Sequence, residues 1–255
     1  MRPIAIITGA TSGIGRATAM ALARNNFDVV ITGRRAEKLE KAEEEIRSKT
    51  DADVLSLCFD IRVQKEVASA CGKLTGKWAS AVVLVNNAGL AAGLSQIHEG
   101  SVDDWEQMID TNIKGLLYIT RLISPGMVER GRGHIINIGS IAGKEAYEFG
   151  NVYNASKFAV DGLTQAMRID LVEHGIKVTA INPGAAETEF SLVRFKGDQA
   201  QADKVYEGYT PLYAEDIAEA ILFAVTRPPH VNIDELLIMP AAHARTRKIN
   251  RKETT

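Results

Sequence analysis

An α/β fold is predicted for this chain: one doubly wound parallel sheet with helices on both faces. Three observations carry the prediction. Short β-branched runs alternate with helical patterns from end to end. Most of those runs are continuously apolar, as in parallel strands buried on both faces. The first run passes through a glycine-rich turn straight into a helical pattern. Strands connected in this way build right-handed βαβ units. The 255 residues hold no internal repeat, low-complexity linker or composition break, so 1–255 is read as a single domain.

The strand runs are IAIIT at 4–8, DVVIT at 28–32, DVLSLCF at 53–59, AVVLVN at 81–86, HIINIGS at 134–140, IKVTAIN at 176–182 and ELLIM at 235–239. Helical patterns lie between them at about 14–25, 36–49, 63–76, 103–130, 151–174 and 214–226. Segment 187–212 is the one long stretch without a strand. It is polar, contains Gly197, Gly208 and Pro211, and follows a strand end, so it is expected to be a lid over a site.

Composition excludes several classes. Lys plus Arg is 30 against 32 Asp plus Glu, so no bulk field favours nucleic acid or a membrane surface. Cys58 and Cys71, with no CxxC, exclude a disulfide framework and place the chain in a reducing compartment by default. No signal peptide and no stretch of roughly 20 apolar residues is found, so a cytoplasmic location is expected. His98, His134, His174, His230 and His243 have no mutual spacing that makes a metal site. The basic stretch Arg245, Arg247, Lys248, Arg251 and Lys252 reads as a frayed, solvated tail over 243–255.

Ligands of a doubly wound sheet bind at the carboxyl ends of its strands, so the residues after each run are the informative ones. After the first come Gly9, Ala10, Thr11, Ser12, Gly13, Ile14 and Gly15. The glycines permit a sharp turn, a close backbone approach to pyrophosphate and tight helix packing. The helix N-terminus presents free N–H groups to the phosphates. The second run ends in Thr32, Gly33, Arg34 and Arg35, with no carboxylate. Two guanidiniums there suit the 2′-phosphate of NADP; the alternative is a solvated basic helix start. Asp60 and Ile61 follow the third run, as an acceptor for the adenine amino group with a packing neighbour, or as a plain helix cap. Asn86, Asn87, Ala88 and Gly89 follow the fourth, where small residues let a cofactor lie close.

Tyr153 and Lys157 stand four residues apart in a helical pattern and share a face. An ammonium beside a phenol stabilises phenolate and fits it to proton transfer. Ser140, 13 residues earlier at the end of the fifth run, can hold the same substrate oxygen. Asn112 falls inside a long helix, an unfavourable place for Asn. It either kinks the helix and exposes a carbonyl for a proton-relay water, or is a satisfied polar core residue.

These residues resemble the short-chain dehydrogenase/reductase family over the whole chain: TGATSGIG (8–15), NNAG (86–89), Asn112, Ser140, Tyr153-x-x-x-Lys157, and Pro183-Gly184 with Thr188. The resemblance implies a single-domain Rossmann fold with a seven-stranded sheet, a nicotinamide cofactor and a homotetramer. It also implies a catalytic tetrad of Asn112, Ser140, Tyr153 and Lys157. Lys157 would hold the nicotinamide ribose, and Pro183, Gly184 and Thr188 the carboxamide. A narrower similarity, in NNAGLAAG, GNVYNASK, TEFSLVRFKGD and HVNIDELLIMP, is to NADP-dependent 3-hydroxy acid dehydrogenases within that family. It implies a small 3-hydroxy acid as substrate, bound by Ser140, Tyr153 and the lid residue Arg194, whose planar fork suits a carboxylate. Two alternatives stand beside it. One is a reductase of another carbonyl, such as a 3-oxoacyl thioester or a sugar. The other is a non-catalytic NADP-binding sensor.

Overall fold

The computed structural model describes residues 2–252. Its first half alternates strand and helix: β1 (Ile4–Ile7), α1 (Gly13–Arg24), β2 (Asp28–Gly33), α2 (Ala36–Lys49), β3 (Val54–Cys58), α3 (Gln64–Cys71) and β4 (Val83–Asn86). The second half carries α4 (Val102–Ile109), α5 (Leu116–Glu129), β5 (Gly133–Ile138), α6 (Asn151–Leu171) and β6 (Ile176–Pro183). It continues with β7 (Ala186–Glu187), α7 (Glu189–Arg194), α8 (Gln199–Lys204), β8 (Leu212–Tyr213), α9 (Ala214–Val225) and β9 (Glu235–Ile238). Seven strands form one sheet in the order β3-β2-β1-β4-β5-β6-β9. Every pairing in it is parallel, with Ile7 beside Val85 and Pro183 beside Ile238.

The continuous apolar runs are explained by two cores, one on each face. Ala5, Ile7, Val29, Ile31, Val83 and Val85 point to one face and pack with Leu22, Ile46, Ile217 and Ile221 of α1, α2 and α9. Their neighbours Ile4, Ile6, Val30, Leu84, Ile135 and Val178 point to the other, against Val67 of α3 and Ile119, Ile123 and Met127 of α5. A strand covered on both sides has no solvent face on which to place polar residues. The order of the strands reverses between β1 and β4, which opens a crevice at their carboxyl ends.

Three local expectations differ from what is observed. The pattern at 103–130 is not one α-helix, because a π-helical turn, Asp110–Gly115, separates α4 from α5. Segment 187–212 is not without strands: its two ends pair as the parallel β7–β8 ladder, and α7 and α8 lie between them. Residues 243–252 are not frayed. His243 and Ile249 form an antiparallel bridge, and Lys252 N–H donates to the Gly208 carbonyl at 2.8 Å. A basic composition signals solvation, but it carries no information about backbone pairing with a lid. Residues 253–255 lie outside the described residues.

Candidate active site

The crevice opens into a cavity of about 740 Å³ at the carboxyl edge of the sheet. At its floor the turn after β1 meets the loop after β4. Gly9 has φ +67°, and a Cβ there would stand 2.9 Å from Ala88 Cα. At Gly15 a Cβ would fall 2.4 Å from Asn87 Nδ2. Asn87 instead uses that space to donate Nδ2 to the carbonyls of Thr8 at 2.8 Å and Gly9 at 3.2 Å. Thr8 Oγ1 in turn accepts from the backbone N–H groups of Asn87 and Ala88, both at 3.0 Å. The turn is thus fixed from beneath.

Its upper side stays available. Ser12 makes no side-chain cap to α1, and no acidic residue stands in the first turn. A helix start without a cap or carboxylate suits an external anion. Thr11, Ser12, Gly13 and Ile14 line the cavity with it. Arg34 is exposed at the rim and has no ion-pair partner among the described residues. Arg35 donates Nη2 to Thr11 Oγ1 at 2.8 Å and Ser12 Oγ at 2.9 Å, and Nη1 to Glu189 Oε2 at 2.8 Å. Lys38 joins the same carboxylate at 2.5 Å. Burial opposes its charge, but these two cations hold the Glu189 carboxyl at about 2.

Asp60 and Ile61 also line the cavity. Asp60 is tied to Arg62, which donates Nη2 at 2.6 Å and lowers the carboxyl from its ordinary value. Ile61 packs on the π-turn, 3.0 Å from where a Cβ of Gly115 would be. Gly89 lies 3.2 Å, by the same measure, from Asn112 Oδ1. This uncapped, Cβ-free cradle with a free cation at its rim fits a dinucleotide phosphate.

The four residues of the implied tetrad sit at the deeper end. Asn112 is buried in the π-turn. Its Oδ1 accepts from Leu90 N–H at 2.9 Å, and Nδ2 donates to the Leu90 carbonyl at 2.8 Å and Ser156 Oγ at 3.0 Å. The side chain is therefore spent on joining the loop after β4 to α6. Ser140 caps a short 3-10 turn, accepting from Ala142 N–H at 3.1 Å, and donates to the Pro183 carbonyl at 3.4 Å. Lys157 is buried, donates Nζ to the Ile138 carbonyl at 2.9 Å, and is lowered by burial to about 8. Its Nζ is 5.9 Å from the centroid of the Tyr153 ring. Burial, and secondarily Tyr147, raise the Tyr153 phenol above its ordinary value, while the Ser140 hydroxyl and Arg194 lower it.

Residues of segment 187–212 line this end. Thr188 caps α7 by accepting from Phe190 N–H at 3.2 Å and lies 3.2 Å from a Cβ built at Gly13. Pro183, Gly184 and Thr188 line the cavity together. Phe190 packs against Tyr153 with ring centroids 5.5 Å apart and the ring planes inclined by 60°. Arg194 Cζ lies 5.1 Å from the Tyr153 centroid and 5.4 Å from that of Tyr147, and its Nη2 donates to Tyr147 Oη. Arg194 has no ion-pair partner among the described residues. Lys196, the other lid cation nearby, is exposed and pairs with Asp104 at 2.9 Å. The arrangement can pass a proton at Tyr153 beside a guanidinium suited to an anion.

Sequence reasoning missed Tyr147, Lys38 and Glu189, and read Arg247 as part of a solvated tail. Tyr147 follows the carboxyl end of β5, and Arg247 follows that of β9. Both lie nine positions beyond their strand's last residue, on the same edge of the sheet as the other site residues but too far along the chain for the strand-end rule to single them out. Glu189 and Lys38 have no local signal, because their meeting spans 151 positions.

Comparison with known proteins places the fold. A family model described as short chain dehydrogenase matches residues 3–198. An NADP-dependent 3-hydroxy acid dehydrogenase of Salmonella typhi is 47% identical over 94% of this chain and 96% of its own. A sulfoacetaldehyde reductase of Chromohalobacter salexigens is 44% identical over 96% of each. The solved closed form of a serine dehydrogenase complexed with NADP+ superposes with a TM-score of 0.91. It is 42% identical and covers 98% of this chain and 100% of that one.

Proposed function

This chain belongs to the short chain dehydrogenase family, and from that premise we propose an NADP-dependent oxidoreductase that interconverts a small 3-hydroxy acid and its 3-oxo or semialdehyde form. One observation carries the substrate class: Arg194 presents an unpaired guanidinium 5.1 Å from the Tyr153 ring. A carboxylate bound there would leave the hydroxyl carbon of a 3-hydroxy acid, one carbon removed from the carboxyl group, to reach Tyr153 and Ser140. Bidentate guanidinium–carboxylate pairing fixes that orientation.

When bound, the nicotinamide supplies the hydride acceptor or donor. The protein does the rest. Tyr153 takes the hydroxyl proton in oxidation and returns it in reduction. Ser140 holds the substrate oxygen as charge develops on it. The Lys157 ammonium stabilises the phenolate and holds the nicotinamide ribose, and Phe190 with the lid excludes water. Asn112 supports the proton relay through its backbone, since its side chain is committed to Leu90 and Ser156. Gly9 to Gly15 cradle the pyrophosphate. Arg34 and Arg35 meet the 2′-phosphate, and Asp60 and Ile61 the adenine. Asn87, Ala88 and Gly89 flank the ribose, and Pro183, Gly184 and Thr188 the carboxamide.

The proposal includes a cytoplasmic location and a homotetramer. Among the described residues no helix is long and apolar enough to cross a membrane. Exposed Leu117, Leu122, Phe158 and Ile169 on α5 and α6, and Phe223 and Leu237 on α9 and β9, support two subunit interfaces. Arg194 would serve a sulfonate equally well, so a short sulfonated aldehyde is the second reading. NADP- and NAD-linked assays with serine, threonine isomers, 3-hydroxypropionate and 3-hydroxyisobutyrate, with sulfoacetaldehyde alongside, test the function. Turnover of an uncharged carbonyl in preference to every anionic compound would overturn it.

A further inference from the structure

The C-terminal segment builds a wall of the site. After β9 it doubles back as a hairpin in which Ala244 N–H donates to the Lys248 carbonyl at 2.9 Å and Asn250 N–H to that of Ala242 at 2.8 Å. Two anchors fix the hairpin. Glu145, in the loop between β5 and α6, accepts from Thr246 N–H at 2.5 Å and Arg245 Nη1 at 3.0 Å. On the lid side, Tyr209 and His243 pack with ring centroids 4.5 Å apart. The tip then carries Arg247 over the Tyr147 ring, its Cζ 5.4 Å from the centroid and its Nη2 donating to the Glu148 carbonyl at 3.0 Å.

Arg194 reaches the same ring from the lid, also with Cζ at 5.4 Å. Neither guanidinium has a carboxylate partner among the described residues. Two like charges beside one phenol repel, and the ring faces offset only part of that repulsion. An anion entering beside Tyr147 would relieve the rest. The hairpin's anchors make this a built arrangement, with a loop, a lid and the chain terminus each contributing one member.

We propose that Arg247 is a specificity-determining residue of this site. With Arg194 it makes Tyr147 the centre of a two-guanidinium receptor for the anionic end of a short hydroxy or oxo acid. The proposal rests on the hydroxy-acid reading above. Arg194, from the lid, faces the reacting end. Arg247 is exposed at the outer rim, so its effect falls mainly on capture of the anion and is screened by salt.

The test uses the full-length enzyme at saturating NADP with 3-hydroxypropionate and its uncharged amide. In Arg247→Met the KM for the acid should rise by about 5-fold, the scale of one exposed charge contact. The KM for the amide should change less, and the salt dependence of kcat/KM for the acid should flatten. Arg247→Lys should recover most of the preference, which a purely structural role of the hairpin would not produce. If Arg247→Met distinguishes acid from amide as well as the parent does, the assignment to Arg247 is overturned and the hydroxy-acid reading stands. A parent enzyme that does not distinguish the two compounds overturns both.

Discussion

Arg35 at the start of α2 and Glu189 in the first turn of α7 are joined at 2.8 Å across 154 positions of sequence. The pair bridges the edge of the nucleotide cleft, from the side that would carry the 2′-phosphate to the lid. It also divides the labour of the two arginines. Arg35 is already partly neutralised by Glu189, whereas Arg34 is free to meet an added anion.

Replacing Arg34 and Arg35 together with Ala should therefore weaken NADP binding by roughly 100-fold, on the scale of charge-assisted phosphate contacts, and NAD binding far less. Fluorescence titration of both cofactors measures this. Equal weakening of the two would show that the arginines are only surface charges.

Tyr153→Phe keeps the ring that packs against Phe190 and removes only the hydroxyl. Turnover should fall by roughly 10²–10⁴-fold, the usual contribution of general acid–base catalysis, with NADP binding retained. Near-normal turnover would remove Tyr153 from the mechanism.

Arg194→Met should raise KM for the acid strongly, leave NADP affinity nearly unchanged and narrow the gap between the acid and an uncharged alcohol of similar size. Steady-state kinetics on both compounds decide it. Lys196 is a poor substitute anchor because Asp104 already holds it.

The buried Lys157 gives a pH signature in stability. Its folded value of about 8 lies below the ordinary 10.5. Between those limits the unfolded chain binds a proton that the folded chain does not, so stability rises with pH through that window. Below about 8 both states are protonated and the burial penalty stands in full. Lys157→Met should be the more stable form at pH 7, with its advantage shrinking toward pH 10. Urea melts of the cofactor-free enzyme at both pH values test this, and a constant difference would show that Lys157 keeps its ordinary affinity for protons.

Sedimentation at micromolar concentration should give a homotetramer. Charged substitutions at Leu122 and Phe158, both more than 40% exposed, should split it if α5 and α6 form an interface. A parent that sediments as a monomer would count against the assembly.

The sheet and the deep site were legible because parallel strands read as unbroken apolar runs and because ligand residues follow strand ends. Ser140 and the glycine turn obey that geometry, and Tyr153 and Lys157 were legible from their shared face on a helix. Asn112 marked this place as unfavourable for a helix, but the form of the break was not legible: a π-turn leaves the apolar spacing on either side intact. The Arg35–Glu189–Lys38 cluster and the hairpin on Glu145 are tertiary meetings of ordinary surface residues, which no local pattern announces.

The π-turn sets a tolerance limit on length changes in this region. One extra residue in the spiral advances everything after it by about 100° relative to an uninterrupted α-helix. Ile119, Ile123 and Met127 face the sheet only with that advance in place. Deleting one residue within 110–115 would turn this stripe away from the sheet and bring the Leu117, Arg121, Ser124 and Val128 positions inward, whereas a point substitution at the same sites leaves the phase untouched. Drift in this helix should therefore proceed by exchange of side chains, with single-residue gaps in α4–α5 selected against even far from the cavity.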